Sequence, residues 1–186
     1  MYRLVEPSVQ YKHKQAFLDM LEDYEKKGED CLHKEMFEFS YCYEQYVNLL
    51  HRQAMGLDPA IGYLPTQTFW LMKDGEDTIL GISRFSPWMT TYLFYEAGQI
   101  GYDVPPSHRR KGHGSLLLFL TLEKARRFGL RQVLLTCEAH NIASVRIIEK
   151  NGGILKNQII SPFTGRIICR YWISLDSSHS ERCSGI

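Results

Sequence analysis

A strand expected from about Gly98 to Val104 meets two consecutive prolines, Pro105-Pro106, and then Ser107-His108-Arg109-Arg110-Lys111-Gly112-His113-Gly114-Ser115. Two prolines in a row offer no backbone donor, so a strand ladder must stop there. Downstream, helical spacing runs from Gly112 to Phe128, and Gly129 ends it. The chain therefore has to pass from a strand into a helix through a basic, glycine-containing loop. The first turn of a helix leaves its N–H groups unpaired and carries partial positive charge, which attracts an anion. Gly112 and Gly114 have no side chain to hold a ligand away from the backbone. Arg109, Arg110 and Lys111 add charge-assisted hydrogen bonding. A diphosphate fits these features; a solvated basic loop without a ligand accounts for them too. The spacing is neither that of a P-loop nor the G-x-G-x-x-G of dinucleotide sites.

Those cations have to act locally, because 22 Lys and Arg face 21 Asp and Glu and the net charge is only +1. Such a balance gives no global attraction to nucleic acid or membrane. No basic stripe or aromatic platform accompanies the loop, so nucleic acid is not an expected partner. No apolar run is long enough to span a bilayer, and the start of the chain lacks a signal-peptide core. Cys31, Cys42, Cys137, Cys169 and Cys183 are scattered, with no C-x-x-C pair. Neither a zinc site nor a disulfide framework is expected, and a reduced, cytoplasmic setting is. Cys137 and Cys169 lie in apolar runs and belong to the core. Of the 186 residues, 1–176 are expected to form a single domain and the polar stretch 177–186 a flexible tail.

Helical spacing recurs at Phe17, Leu21 and Tyr24, with Gly28 as the stop, and again at Met36, Phe39, Tyr43, Tyr46, Val47 and Leu50. The period then changes. Phe69-Trp70-Leu71-Met72 and Ile79-Leu80-Gly81-Ile82 flank an Asp-Gly turn, a hairpin signal. In the helix after the loop, Leu118, Leu122 and Ala125 face inward and Glu123 pairs with Arg127. A strand over Gln132–Cys137, a helix over Ile142–Asn151 and two strands around Pro162-Phe163-Thr164-Gly165 complete the order. Ile167, Cys169, Tyr171, Ile173 and Leu175 line one face of the last strand. The expected architecture is a mixed, mostly antiparallel α/β sheet with helices on its faces.

Arg109-Arg110-Lys111-Gly112-His113-Gly114 spells R-x-x-G-x-G. Asn141-Ile142-Ala143-Ser144 leads to Lys150-Asn151-Gly152 with the spacing Asn, small residue three on, then Lys-x-Gly. In that order, separated by a helix and a strand, these segments resemble the acyl-CoA signature of the GNAT N-acetyltransferase superfamily. The resemblance covers about Gly98 to Leu155. It implies a fold with splayed central strands and acetyl-CoA as co-substrate; no metal is expected. It implies that the pantetheine arm pairs with backbone near Tyr102, Asp103 and Val104, and that the diphosphate sits on the amides of Lys111 to Ser115. Asn141 and Ser144 are then placed beside the CoA arm, although Asn141 is independently expected to cap the helix at Ile142.

The implied reaction moves an acetyl group to an amine of a small molecule or peptide. In many family members a Tyr before the x-Lys-x-Gly segment protonates the departing thiolate; Ile148 stands in that position and has no proton to give. For the base, Glu96 is preferred, with Asp103, Glu138, Tyr102 and His140 as rivals. The aromatic stretch from Phe85 to Tyr95 is expected to wall the acceptor site, to act as a lid or to mediate a homodimer contact. An acyl-CoA-binding module with little or no turnover is the alternative to an enzyme.

Overall fold

All four residues of Phe69-Trp70-Leu71-Met72 are buried, so the strand that carries them has no solvent face and needs cover on both sides. The structure, a computed structural model, describes residues 1–62 and 64–176; the tail expected at 177–186, with Cys183, lies outside the described residues. Its elements run β1 (Tyr2–Val5), α1 (Tyr11–Lys26), α2 (Leu32–Glu38), α3 (Tyr43–Ala54), β2 (Gln67–Lys73), β3 (Gly81–Phe85), β4 (Ile100–Asp103), α4 (His113–Phe128), β5 (Gln132–Glu138), α5 (Ile142–Lys150), β6 (Ile154–Ile160) and β7 (Ile167–Ser174). The strands form an antiparallel sheet in the order β1-β2-β3-β4 and a second antiparallel sheet in the order β5-β7-β6.

Strand alternation assigns the cover. Trp70, Met72 and Ile82 pack with Phe17, Tyr24, Tyr43, Tyr46 and Leu50 of α1 and α3, while Phe69 and Leu71 meet Leu117, Leu118 and Leu122 of α4 on the opposite face. The aromatic stripe of the early helices is core: Phe17 stacks on Tyr46 at 4.5 Å and on Trp70 at 6.0 Å between centroids. Helices therefore cover both faces, as expected for this α/β class.

Four local expectations are corrected. The second helix divides into α2 and α3, because Tyr41 takes a left-handed φ of 60° and breaks the ladder; Phe39, assigned to the stripe, is 84% exposed. Strand β1 was not anticipated. Its four residues pair with Trp70–Lys73, a partner no local pattern reveals. Glu123 pairs with Arg126 rather than Arg127, since Arg126 Nε also donates to the Leu175 carbonyl and is held on that side. Ile167 is exposed, although Cys169, Tyr171, Ile173 and Leu175 are buried as expected.

No ladder joins β4 to β5 among the described residues. The two sheets meet just before β4: the Gln99 N–H donates to the Leu134 carbonyl at 2.8 Å, and the Gln99 side-chain oxygen accepts from the Leu134 N–H at 3.1 Å. Gly98 permits this approach. Its φ is 67°, and a Cβ there would lie 2.9 Å from the Thr136 nitrogen. Beyond this clasp the strands part, and a five-residue π-helical turn (Leu93–Ala97) leads into it.

Candidate active site

The parting of β4 from β5 opens a cleft of about 650 Å³ between the end of β4, the first turn of α4 and one face of α5. Its construction begins with the prolines: Pro105 and Pro106 stop β4 and start a single 3₁₀ turn that delivers the chain to α4. Gly112 stands at the N-cap of α4 with φ 84° and no capping side chain. Where Ser, Thr or Asp would occupy the first amides, glycine leaves them available to a ligand. The cleft is thus positive at one end before any side chain is counted.

Of the residues assigned from sequence, the cleft brings together Tyr102, Asp103, Val104, Arg109, Arg110, Gly112, Gly114, Ser115, Asn141 and Ser144. Lys111 and His113 do not line it. Lys111 is exposed. His113 is buried, its Nδ1 paired with the His108 carbonyl at 3.1 Å and its ring near Tyr2. His113, expected in the phosphate loop, therefore offers the cleft no side chain: as the first residue of α4 it turns its ring toward Tyr2 of β1. Four lining residues were missed, namely Ala143, Arg146, Ile147 and Lys150. Their spacing along α5 is that of one helical face, a signal present in the sequence.

Several of these groups are engaged. Arg109 donates from Nε to the Val104 carbonyl at 2.9 Å and grips Glu29 with both terminal nitrogens at 3.0 and 2.7 Å; the hydrogen bond holds the Glu29 carboxyl below its usual range. Arg109 thus fastens the loop to the connection between α1 and α2. The Val104 N–H donates to Asp103 Oδ1 at 2.8 Å and is not free for an oxyanion. Burial pushes the Asp103 carboxyl above its usual range, opposed by a hydrogen bond from Tyr24. Tyr102 and Ser144 share a hydroxyl hydrogen bond of 2.8 Å across the gap, and burial raises the Tyr102 phenol. Asn141 caps α5, its Oδ1 accepting from the Ser144 N–H at 3.0 Å. Burial raises the Cys137 thiol to about 11, which disfavours the reactive thiolate form.

Glu96 lies outside the cleft lining, on the π-helical turn, where its carboxylate accepts from Ser161 and from Thr164 Oγ1. Glu138 pairs with Arg166 and with His140. Ile148 is 1% exposed in the main core. In the aromatic stretch Phe85 is buried, whereas Trp88, Met89, Tyr92 and Tyr95 are exposed. Among the described residues no group of three or more His, Cys, Asp or Glu side chains is placed to hold a metal. No described helix is long and apolar enough to cross a membrane.

An α/β fold with two antiparallel sheets splayed over an uncapped, basic helix start defines an acyl-CoA type of transferase. A family model described as the acetyltransferase (GNAT) family matches residues 18–153, and the chain belongs to that family of acetyltransferases. No curated protein matches it by sequence. Among solved structures it is similar to yncA, a putative acetyltransferase from Salmonella typhimurium with its cofactor acetyl-CoA (18% identity, 97% of this chain and 96% of that one, TM-score 0.59). It is also similar to the Salmonella typhimurium acetyl transferase that modifies the N-terminal serine of ribosomal protein L7/L12 (14%, 94% and 95%, TM-score 0.65). A third is the spermidine/spermine N-acetyltransferase SpeG from Vibrio cholerae (14%, 94% and 93%, TM-score 0.56), in mutant form. At these identities the likeness is one of fold.

Proposed function

We propose that the protein transfers the acetyl group of acetyl-CoA to an amine of a small molecule or peptide. The carrying observation is the cleft itself, in which the uncapped amides of α4 and the unladdered edge of β4 face each other across a gap lined with cations. The diphosphate belongs on the amides from Gly112 to Ser115, with Arg110, Arg146 and Lys150 around it. The pantetheine arm belongs in the gap, where alternate backbone groups of β4 lack a strand partner. The acetyl-CoA in the yncA structure supports this reading. The relatives' acceptors, a protein N-terminus and a polyamine, span the two classes of amine proposed. Free Cys31, Cys42, Cys137 and Cys169 suit a reducing, cytoplasmic setting.

Transfer requires a neutral amine aligned with the thioester. Alignment contributes on the order of 7–11 kcal/mol, and an alkylamine of pKa about 10.4 must lose a proton. We assign that proton to Glu96, on the π-helical turn that leads into β4 from the side remote from the phosphate loop. With Ile148 in the core, the thiolate leaves without an acid from that position, which a leaving group of pKa about 8.5 tolerates.

Calorimetric titration with acetyl-CoA and with inorganic phosphate, followed by thiol release over a panel of amines, tests the reading. Acetyl-CoA binding with turnover of at least one amine is expected, and Glu96→Gln is expected to lower kcat with little change in CoA affinity. Tight binding without release on any amine would instead support the acyl-CoA-binding module, the alternative that Ile148 favours. Absence of acetyl-CoA binding would overturn both.

A further inference from the structure

Thr68, Arg84 and Gly101 lie side by side across β2, β3 and β4, in register as Thr68↔Arg84 and Arg84↔Gly101. They share the face covered by α1 and α3, where Ile82, two residues before Arg84, is packed. Thr68 Oγ1 and Arg84 Nε are both buried without a hydrogen-bond partner. A buried guanidinium keeps its proton and is costly when unpaired. Arg84 Nη2 donates to Gln53 Oε1 at 3.3 Å, and Gln53 Nε2 donates in turn to Asp58 Oδ2 at 2.7 Å. Asp58, the carboxylate that acts on Arg84, is therefore one amide removed from it. Tyr46, Tyr92 and His33 are the other titratable groups that act on Arg84. Burial pushes His33 down to about 3 and raises the Tyr46 phenol well above its usual range, and the two share a hydrogen bond of 2.9 Å.

The third member of the row is open. Gly101 is exposed, and a Cβ there would meet nothing within 4 Å. Open space thus lies over Gly101, the residue opposite Arg84 in register, on the strand that borders the cofactor cleft and next to Tyr102. We propose that Arg84 receives a carboxylate carried by the acceptor, which makes the substrate class amines of the amino-acid type. This inference rests on the acetyl-transfer reading above. A guanidinium with no carboxylate in direct contact suits a single negative charge, and a planar carboxylate matches a guanidinium edge. A phosphate dianion would bring surplus charge into a buried setting. Thr68, adjacent in register, offers an unused hydroxyl.

The test uses the full chain with saturating acetyl-CoA and matched acceptors: free α-amino acids, their carboxamides, and phosphoethanolamine. The acids are expected to exceed their carboxamides in kcat/KM on the order of 100-fold, the scale set by a desolvated charge pair, and to exceed phosphoethanolamine. Arg84→Met and Gly101→Val are each expected to erase the preference, mainly through KM. Carboxamides or phosphoethanolamine turned over as well as the acids, or an Arg84→Met loss equal for acids and carboxamides, would overturn the assignment. A second arm needs no turnover: the CoA-loaded protein is melted with acids and with carboxamides. Acids are expected to raise Tm in the wild type, with Arg84→Lys reduced and Gly101→Val unresponsive, so the test survives an Arg84→Met that does not fold. An acid-dependent rise in Tm without thiol release would sink the acetyl-transfer reading alone. Thiol release with no acid-dependent rise would sink this one alone.

Discussion

Gly112 and Gly114 are glycine for different reasons, and the difference is measurable. At Gly112 nothing lies within 4 Å of an added Cβ, but φ is 84°, so a side chain there incurs the left-handed penalty of about 1–2 kcal/mol. Gly114 has an ordinary backbone, yet its Cβ would stand 2.7 Å from Ile147 Cδ1. Gly114→Ala is expected to destabilise by roughly 1–3 kcal/mol through overpacking, and Ile147→Val, which removes that methyl, should recover much of the loss. The same Ile147→Val should not rescue Gly112→Ala. Urea unfolding of the two double-mutant cycles checks this; equal rescue in both would mean that the glycines share one role. From sequence the two looked alike, as bare backbone for a phosphate, because the packing of Ile147 against α4 is invisible along the chain.

Among the elements, α5 contributes most to the cleft beyond what the motif indicated. Ala143, Arg146, Ile147 and Lys150 form one face of the helix and line the cleft, while Ile148 faces the core and Asn141 holds the first turn. Arg146 and Lys150 are exposed and absent from the ion pairs formed among the described residues, whereas Arg109 is clamped by Glu29. Removing Arg146 and Lys150 together should weaken CoA binding about tenfold at low salt and flatten the salt dependence, since exposed charges are screened within roughly 10 Å at 0.1 M. Arg109→Ala should instead lower Tm, because it frees the loop from the connection between α1 and α2. Titrations at two ionic strengths and thermal melts separate the cases; an Arg109→Ala with unchanged Tm and lost affinity would restore it to the phosphates.

At the scale of the molecule, the two sheets touch at Gln99 and Leu134 and part beyond them. A ligand that bridges the gap binds the folded state alone, so at 100 times its Kd acetyl-CoA should add about 2.7 kcal/mol of stability. Amide exchange along β4 and β5 should slow on binding, and uniform protection elsewhere without change in these strands would place the ligand outside the gap. The sequence alone determined the loop from Pro105 to Gly114, the helices and strands after it and the aromatic stripe of α1 and α3, because prolines, glycines and apolar periods act over a few residues. It also carried the capping role of Asn141, read from its place before Ile142. Only the tertiary structure decided that β1 is a strand, that Arg109 is spent on Glu29, that His113 turns away and that Arg84 is buried opposite an open Gly101. Each of these depends on which distant residue arrives alongside, and hydrogen bonds, ion pairs and desolvation are set by that arrival rather than by neighbours in the chain.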